Sequence, residues 1–235
     1  MAARHDRATL AVAALAGAAA HAGPALCRYS PGLCRTLGVR DRAADAATVA
    51  LTFDDGPHPQ GTPAILEVLR QQDVRATFFL VGEQVERHRS VAAEVAAAGH
   101  AIGVHGHRHR NLLRLTPAQV DDDLARAAAA LQGLSARPLE LYRPPYGVLT
   151  TAALVHARRR RWTPLLWTRW GRDWRARASG ASIAVDAAQG LNGGEVILLH
   201  DADHYSEAGS WKRTAAALPR IIERARGAGL TFAPR

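Results

Sequence analysis

Thiols are scarce in this 235-residue chain, with Cys27 and Cys34 the only cysteines. Neither belongs to a Cys-x-x-Cys pair, which argues against a zinc–thiolate site. The two could join in a disulfide in an oxidising compartment, but their number alone does not establish one. Aromatic residues make up only 6% and are not interleaved with basic ones, so no base-stacking surface and no nucleic-acid partner is expected. No internal repeat is visible and no long low-complexity linker follows residue 45, which leaves a compact domain with a leading extension. The apolar run from Ala8 to Ala20 is too short and too Ala-rich to read as a membrane span.

Hydrophobic residues account for 48% of the chain, enough for a sizeable core. Positive charge dominates, mostly as arginine: the formal net charge is +9 and the pI about 10.8. Such a balance suits nucleic acid, an anionic membrane or an anionic wall polymer. The densest run, His156 to Arg161, reads more simply as a solvated helix face. Met1 to Arg7 carries Arg4 and Arg7, the apolar run follows, and His21, Gly23 and Pro24 end it. This layout resembles a secretory signal peptide cleaved between Ala20 and Ala25. An uncleaved Ala-rich helix is the other reading. The first places the protein in the cell envelope or outside the cell. Pro31 to Ala47 reads as an irregular lead-in, so residues 1–45 are set apart from a domain at 46–235.

From Val49 onward, short apolar segments alternate with amphipathic ones. Strands are expected at Val49–Phe53, Ala76–Val81, Ala101–Val104, Leu139–Tyr142, Thr163–Trp167, Val196–His200 and Leu230–Phe232. A helix opens at Thr62-Pro63, another spans Val91–Ala98 and is closed by Gly99, and a capping box at Thr116-Pro117-Ala118-Gln119 opens one running through Leu131. Further helices are expected near Thr150–Arg160, Ala181–Leu191 and Trp211–Arg226. The alternation predicts an α/β fold with a parallel sheet, closed into a small and incomplete barrel.

Leu51-Thr52-Phe53-Asp54-Asp55-Gly56-Pro57 puts two carboxylates at the end of the first strand, where such folds place their chemistry. Two adjacent carboxylates are costly unless a cation or a proton separates their roles. Asp55 reads as a metal ligand and Asp54 as a base; a solvated Asp-Gly turn is the plainer alternative. His105 and His109 follow the third strand in His105-Gly106-His107-Arg108-His109. On an extended strand they would lie roughly 13 Å apart, too far to share an ion. On a helical turn they share a face about 6 Å apart at Cβ, which suits imidazole nitrogens roughly 2 Å from a zinc ion. His107 then points away and is excluded. With Asp55 the set is His₂-carboxylate, with positions open for water and substrate.

Arg143-Pro144-Pro145-Tyr146-Gly147 ends the fourth strand. Its prolines carry no N–H, so Tyr146 offers the first backbone donor for an oxyanion. Arg143 can grip a carboxylate, and Asp54 is the natural partner. Asp173-Trp174 lies beyond the fifth strand, and Leu198-Leu199-His200 ends the sixth. Asp173 is expected to orient His200 and favour its protonated form. Leu198 and Trp174 can wall an apolar pocket the size of a methyl group.

In this order, the five motifs resemble the polysaccharide deacetylase family, also called the NodB-homology domain or carbohydrate esterase family 4. The resemblance covers residues 46 to 235. It implies a distorted (β/α)₇ barrel and a divalent metal, usually zinc, bound by Asp55, His105 and His109. Asp54 would be the general base held by Arg143, His200 the general acid tuned by Asp173, and the Tyr146 N–H an oxyanion donor. Leu198, Trp174 and Pro145 would border the acetyl group. The implied reaction removes N-acetyl groups from an amino-sugar polymer or oligomer, peptidoglycan-like or chitin-like, releasing acetate. A non-catalytic carbohydrate-binding wall protein and an O-acetyl esterase are the alternatives. Two positions depart from the pattern. Gly106 stands where the family usually has Ser or Thr, which should loosen the histidine loop unless a neighbour such as Arg108 compensates. Trp170 stands where the family often has Asp, and reads instead as part of a sugar-stacking wall.

Overall fold

The computed structural model describes residues 15–233; the basic start and most of the apolar run proposed as a signal segment lie outside them. A 3-10 helix Gly23–Tyr29 and helix α1 (Pro31–Thr36) precede the sheet. In chain order there follow β1 (Thr48–Asp54), α2 (Gly61–Gln71), β2 (Thr77–Leu80), α3 (Gly82–Arg87), α4 (Arg89–Ala97) and β3 (Ala101–Val104). Next come α5 (Pro117–Leu131), β4 (Leu141–Tyr142), α6 (Thr151–Arg159), β5 (Thr163–Pro164) and β6 (Arg169–Trp170). The chain ends with α7 (Gly180–Ala188), β7 (Val196–His200), α8 (Ser210–Gly227) and β8 (Thr231–Phe232). Helix α5 starts at the expected capping box, in which the Thr116 hydroxyl accepts from the Gln119 N–H. The last turn of α6 carries the arginine run, and Arg158 to Arg161 are exposed.

The strands pair in parallel in the order β5-β4-β3-β2-β1-β7-β6, with β8 added beside the start of β1. This is the curled, incomplete barrel that the alternation of elements implies. The expected strand Thr163–Trp167 is shorter than its apolar run. Only Thr163 and Pro164 pair with β4; Leu165 bridges to Arg40 of the lead-in, and β6, a strand beyond the expected segment, pairs with β7 on the far side of the sheet. Helix α3 is an addition to the expected elements; it follows β2 with only Val81 between them.

The central strands of the barrel wall have two covered faces, and period-two alternation sorts their residues. Val49, Leu51 and Phe53 of β1 join the layer beneath the helices, with Phe78, Ile197 and Leu199. Ala50 faces the other way and packs with Phe79, Leu141, Leu165 and Val196 inside the barrel. Thr52 and Asp54 share Ala50's side of the strand. The gap between β5 and β6 is bridged by the lead-in: Arg40 pairs with Leu165 and Arg42 with Glu195. A disulfide joins Cys27 to Cys34, and both cysteines are buried with Val39 in the core.

The loop after β1 sits hard on the end of β7. A Cβ at Gly56 would collide with the Asp201 carboxylate, and one at Gly61 with the Asp201 carbonyl. The Thr62 hydroxyl donates to Asp201 Oδ2 and accepts from the His58 N–H at 2.8 Å. Burial pushes the Asp201 carboxyl up to about 7, against the lowering effect of the Thr62 hydrogen bond. A carboxyl with a folded-state value above its unfolded value, roughly 3.9, binds its proton more tightly when folded. Its contribution to stability is then whole below about pH 4 and lost as pH rises towards the folded value. Asp201→Asn should therefore gain stability relative to wild type between pH 4 and 7, with the difference level above that. Urea unfolding across pH 4 to 8 measures it; parallel curves for the two proteins would contradict the assignment.

Candidate active site

Asp54 and His200 are direct register partners on β1 and β7. They stand at the C-terminal edge with His105 one residue beyond β3 and Arg143 one residue beyond β4. Adjacent strand residues normally face opposite ways. Asp55 escapes this because it sits in the left-handed region at φ 79°, which turns its carboxylate back towards the side of Asp54. Such a conformation is strained for a residue with a Cβ, and strain of this kind is characteristic of functional sites.

Asp55, His105 and His109 offer ligand atoms that all lie within 4.8 Å of one another. Asp55 Oδ1 is 3.5 Å from His105 Nε2 and 3.3 Å from His109 Nε2. It is buried, with no hydrogen-bond partner among the described residues. Tetrahedral ligands with bonds of roughly 2 Å have edges of about 3.3 Å, so this spacing fits a small divalent ion. His105 Nδ1 is 2.8 Å from the Arg143 carbonyl. A carbonyl only accepts, so Nδ1 carries the proton and Nε2 keeps its lone pair for a metal. Burial by itself would raise the Asp55 carboxyl, but the imidazoles of His105, His200 and His109 outweigh it and hold it well below the carboxylate range.

A second cluster, His58, Asp203 and His204, also brings ligand atoms together, but its protons are wrongly placed for a metal. His58 Nδ1 accepts N–H groups from Gln60 and Gly61 at 3.1 and 2.8 Å. Its proton therefore sits on Nε2, which faces Asp203 Oδ1 at 3.2 Å. The other Asp203 oxygen accepts from Gly209 N–H at 2.6 Å, and His204 Nε2 faces the Pro57 carbonyl at 3.3 Å. These bonds bolt the loop after β7 to the loop after β1.

The histidine loop differs from expectation in its backbone. Residues 105–109 form no helical turn; Gly106 at φ 80° folds the segment so that the two imidazoles meet at a centroid distance of 5.3 Å. Nor does Arg108 steady it, since that side chain is exposed. Asp123, buried on α5, holds the loop instead. Its Oδ2 accepts the His107 N–H at 2.8 Å and its Oδ1 accepts from Arg110 at 2.6 Å. A Cβ at Gly106 would press on Asp123 Oδ2 at 3.1 Å, so the glycine makes room for the carboxylate. His107 itself faces away towards Glu86. His109 lies between two aromatic rings, Tyr146 and Tyr205, each with its centroid 4.4 Å away.

Two more side chains are held by dedicated partners. Arg143 is fully buried. Its guanidinium donates to Asp54 Oδ1 at 2.7 Å, Thr52 at 2.8 Å and the Leu165 carbonyl at 2.9 Å, and it lies over the Phe79 ring at 4.1 Å. Asp173 accepts from the His200 backbone N–H at 2.7 Å and from Thr214 at 2.8 Å, and its other oxygen meets His200 Nδ1 at 2.9 Å. That leaves His200 Nε2 towards the cleft, 3.9 Å from Asp55 Oδ2. Burial disfavours the His200 imidazolium, but Asp173, Asp55 and Asp54 prevail and push it up to about 10. Tyr146 sits at φ 60°, and its N–H has no acceptor among the described residues.

A cleft of about 450 Å³ opens over these groups, and Tyr146, Trp174 and Leu198 line it. Pro145 does not; it is buried behind the wall, next to Gly106. Trp170 lines the cleft, and so do Tyr205, Arg172 and Arg28, three residues that the sequence does not single out.

This constellation on this barrel is that of a hydrolase. The chain belongs to the polysaccharide deacetylase family, whose sequence profile matches residues 41–161. A chitooligosaccharide deacetylase of Azorhizobium caulinodans is 31% identical over 80% of this chain and 92% of its own length. A peptidoglycan-N-acetylglucosamine deacetylase of Bacillus cereus is 32% identical over 78% of this chain and 84% of its own. The solved structure of the Bc1960 peptidoglycan N-acetylglucosamine deacetylase superposes with a TM-score of 0.79 at 29% identity, covering 87% of this chain and 94% of that one.

Removing Asp123 leaves a buried N–H and Arg110 unpaired, a loss of about 1–3 kcal/mol. It also frees the loop that carries both histidines. Asp123→Ala should weaken divalent-ion binding by about 10–100-fold, read by calorimetric titration, and lower the melting temperature. Wild-type affinity in a folded Asp123→Ala protein would contradict this role.

Proposed function

We propose that this protein removes N-acetyl groups from an N-acetylated amino-sugar polymer or oligomer, peptidoglycan-like or chitin-like, and releases acetate. One observation carries the reading. On a single cleft floor, a metal-donor triad lies beside a carboxylate gripped by Arg143 and a histidine gripped by Asp173, so base and acid are held by separate partners. Asp55, His105 and His109 would hold a divalent ion, and their nitrogen and carboxylate donors suit zinc. When bound, the ion supplies Lewis acidity to the amide carbonyl and lowers the pKa of the attacking water from about 15.7 towards about 7.

Asp54 serves as the base. Arg143 occupies its Oδ1, and Oδ2 has no donor among the described residues, so it is free to take the water proton. The unengaged Tyr146 N–H stabilises the negative charge that develops on the carbonyl oxygen. His200, kept protonated and fixed through Nδ1 by Asp173, delivers a proton from Nε2 to the leaving amine. Leu198 and Trp174 border the acetyl methyl.

The catalytic domain is residues 46–235, with the preceding segment packed onto it. The protein acts in the cell envelope or outside the cell: a disulfide suits an oxidising compartment, and a relative named for peptidoglycan works on wall polymer. Among the described residues no helix is long and apolar enough to cross a membrane.

Acetate release from N-acetylglucosamine oligomers, with and without a chelator, tests the reading. Asp54→Asn should lower kcat by about 10²–10⁴-fold while the bound metal stays stoichiometric, and His105→Ala should lose the metal. A near-normal rate in Asp54→Asn would remove the base assignment.

A further inference from the structure

Outside the catalytic groups, the cleft wall carries an unexplained concentration of positive charge. Arg28, Arg172 and Arg175 all line it, and none has an ion pair among the described residues. The only acids lining the same cleft are Asp54 and Asp55, and both are engaged at its floor by Arg143, His105 and His109. Metal-assisted hydrolysis of a neutral amide makes no use of these three cations.

Their supports differ in origin. Arg172 and Arg175 lie on the loop after β6. Arg172 is held in the left-handed region at φ 51°, and its guanidinium lies 5.3 Å from the centroid of Trp170, also on the cleft wall. Arg28 comes from the segment ahead of the barrel and is next in sequence to Cys27. The Cys27–Cys34 disulfide closes a short loop around it, and the buried cysteines anchor that loop in the core. Further along, Arg40 N–H donates to the Pro164 carbonyl at 2.9 Å and the Arg40 carbonyl accepts from Leu166 at 2.7 Å. The segment is thus tied at both ends, and Arg28 is presented from a fixed strap. The strap lies beyond the stretch, Ala20 to Ala25, where signal cleavage is expected, so cleavage would leave it in place.

A guanidinium is a planar fork that matches a carboxylate in a two-pronged pair, and stacking on an aromatic ring leaves its edge free to make that pair. We propose that Arg28, with Arg172 and Arg175, forms a subsite for a carboxylate on the sugar chain, so that the preferred substrate is an acidic N-acetylated glycan. A strand bearing lactyl ethers on alternate sugars carries such groups; a chitin oligomer carries none. This rests on the deacetylase reading and adds to it the charge of the substrate.

The test compares kcat/KM for acetate release from two forms of one tetrasaccharide of alternating N-acetylglucosamine and N-acetylmuramic acid. In one form the lactyl carboxylates are free, in the other they are methyl esters. The full-length protein should favour the free acid at least tenfold in 50 mM salt, and the preference should shrink in 500 mM salt as the charges are screened. Arg28→Gln should bring the ratio towards one. Arg172→Gln should do the same, as should the double variant Cys27→Ser, Cys34→Ser, which unties the strap without touching any cation. A wild-type ratio near one, or one that Arg28→Gln leaves unchanged, overturns the subsite while acetate release from both forms keeps the deacetylase reading. No acetate from either form, nor from chitin oligomers, overturns both.

Discussion

The active site is organised from inside the barrel, by a guanidinium that has no contact with water. Arg143 leaves β4 and crosses the interior to reach Thr52 and Asp54 on β1 and the carbonyls that follow β5. An unpaired charge in such a place is prohibitive, and breaking a buried pair typically costs about 3–5 kcal/mol. Strand ends on three sides of the barrel are therefore locked into one arrangement. The Arg143 carbonyl meanwhile fixes the tautomer of His105. One residue thus sets the orientation of the proposed base and prepares the proposed ligand beside it.

The same economy recurs around the rim. Asp173 holds both the backbone and the ring of His200. Asp123 holds the loop of the two histidines from a helix behind them. Tyr205 stacks on His109 while its hydroxyl is tied to Glu83 and Gln84 of α3. His200, the histidine loop and Tyr205 are each held by a partner that does not face the cleft, the arrangement by which side chains keep a reactive geometry without substrate to organise them. Backbone strain occurs where chemistry is expected: Asp55 and Tyr146, both left-handed, flank the proposed ion and oxyanion positions.

Much of this is legible in the sequence, for physical reasons. A short apolar strand that ends in Asp54-Asp55-Gly56-Pro57 declares both its burial and its terminus, and the capping box at Thr116 marks the start of α5. Residues at strand ends fall to one edge because a parallel α/β barrel collects them there. What escapes depends on contacts between distant segments. The early end of the strand that starts at Thr163 turns on the lead-in, whose Arg40 pairs with Leu165. Spacing alone points to a helical histidine loop, because only a helix brings i and i+4 together locally; Asp123, 16 residues away, is what makes a glycine-folded loop workable. Arg28 and Tyr205 reach the cleft through a strap and a loop whose paths no periodicity encodes, and Pro145 supports a wall that it does not line. Two cysteines in a sequence leave their pairing open; the fold brings them together.

In the proposed site three loop tips share one divalent ion while Asp54 stays outside its coordination. A crystal of the protein grown with zinc, with anomalous scattering recorded across the zinc edge, tests it most directly. A single peak at bonding distance, roughly 2 Å, from Asp55, His105 and His109, with Asp54 still paired to Arg143, is the predicted result. A peak between His58, Asp203 and His204 instead, or zinc bonded to Asp54, would contradict the account.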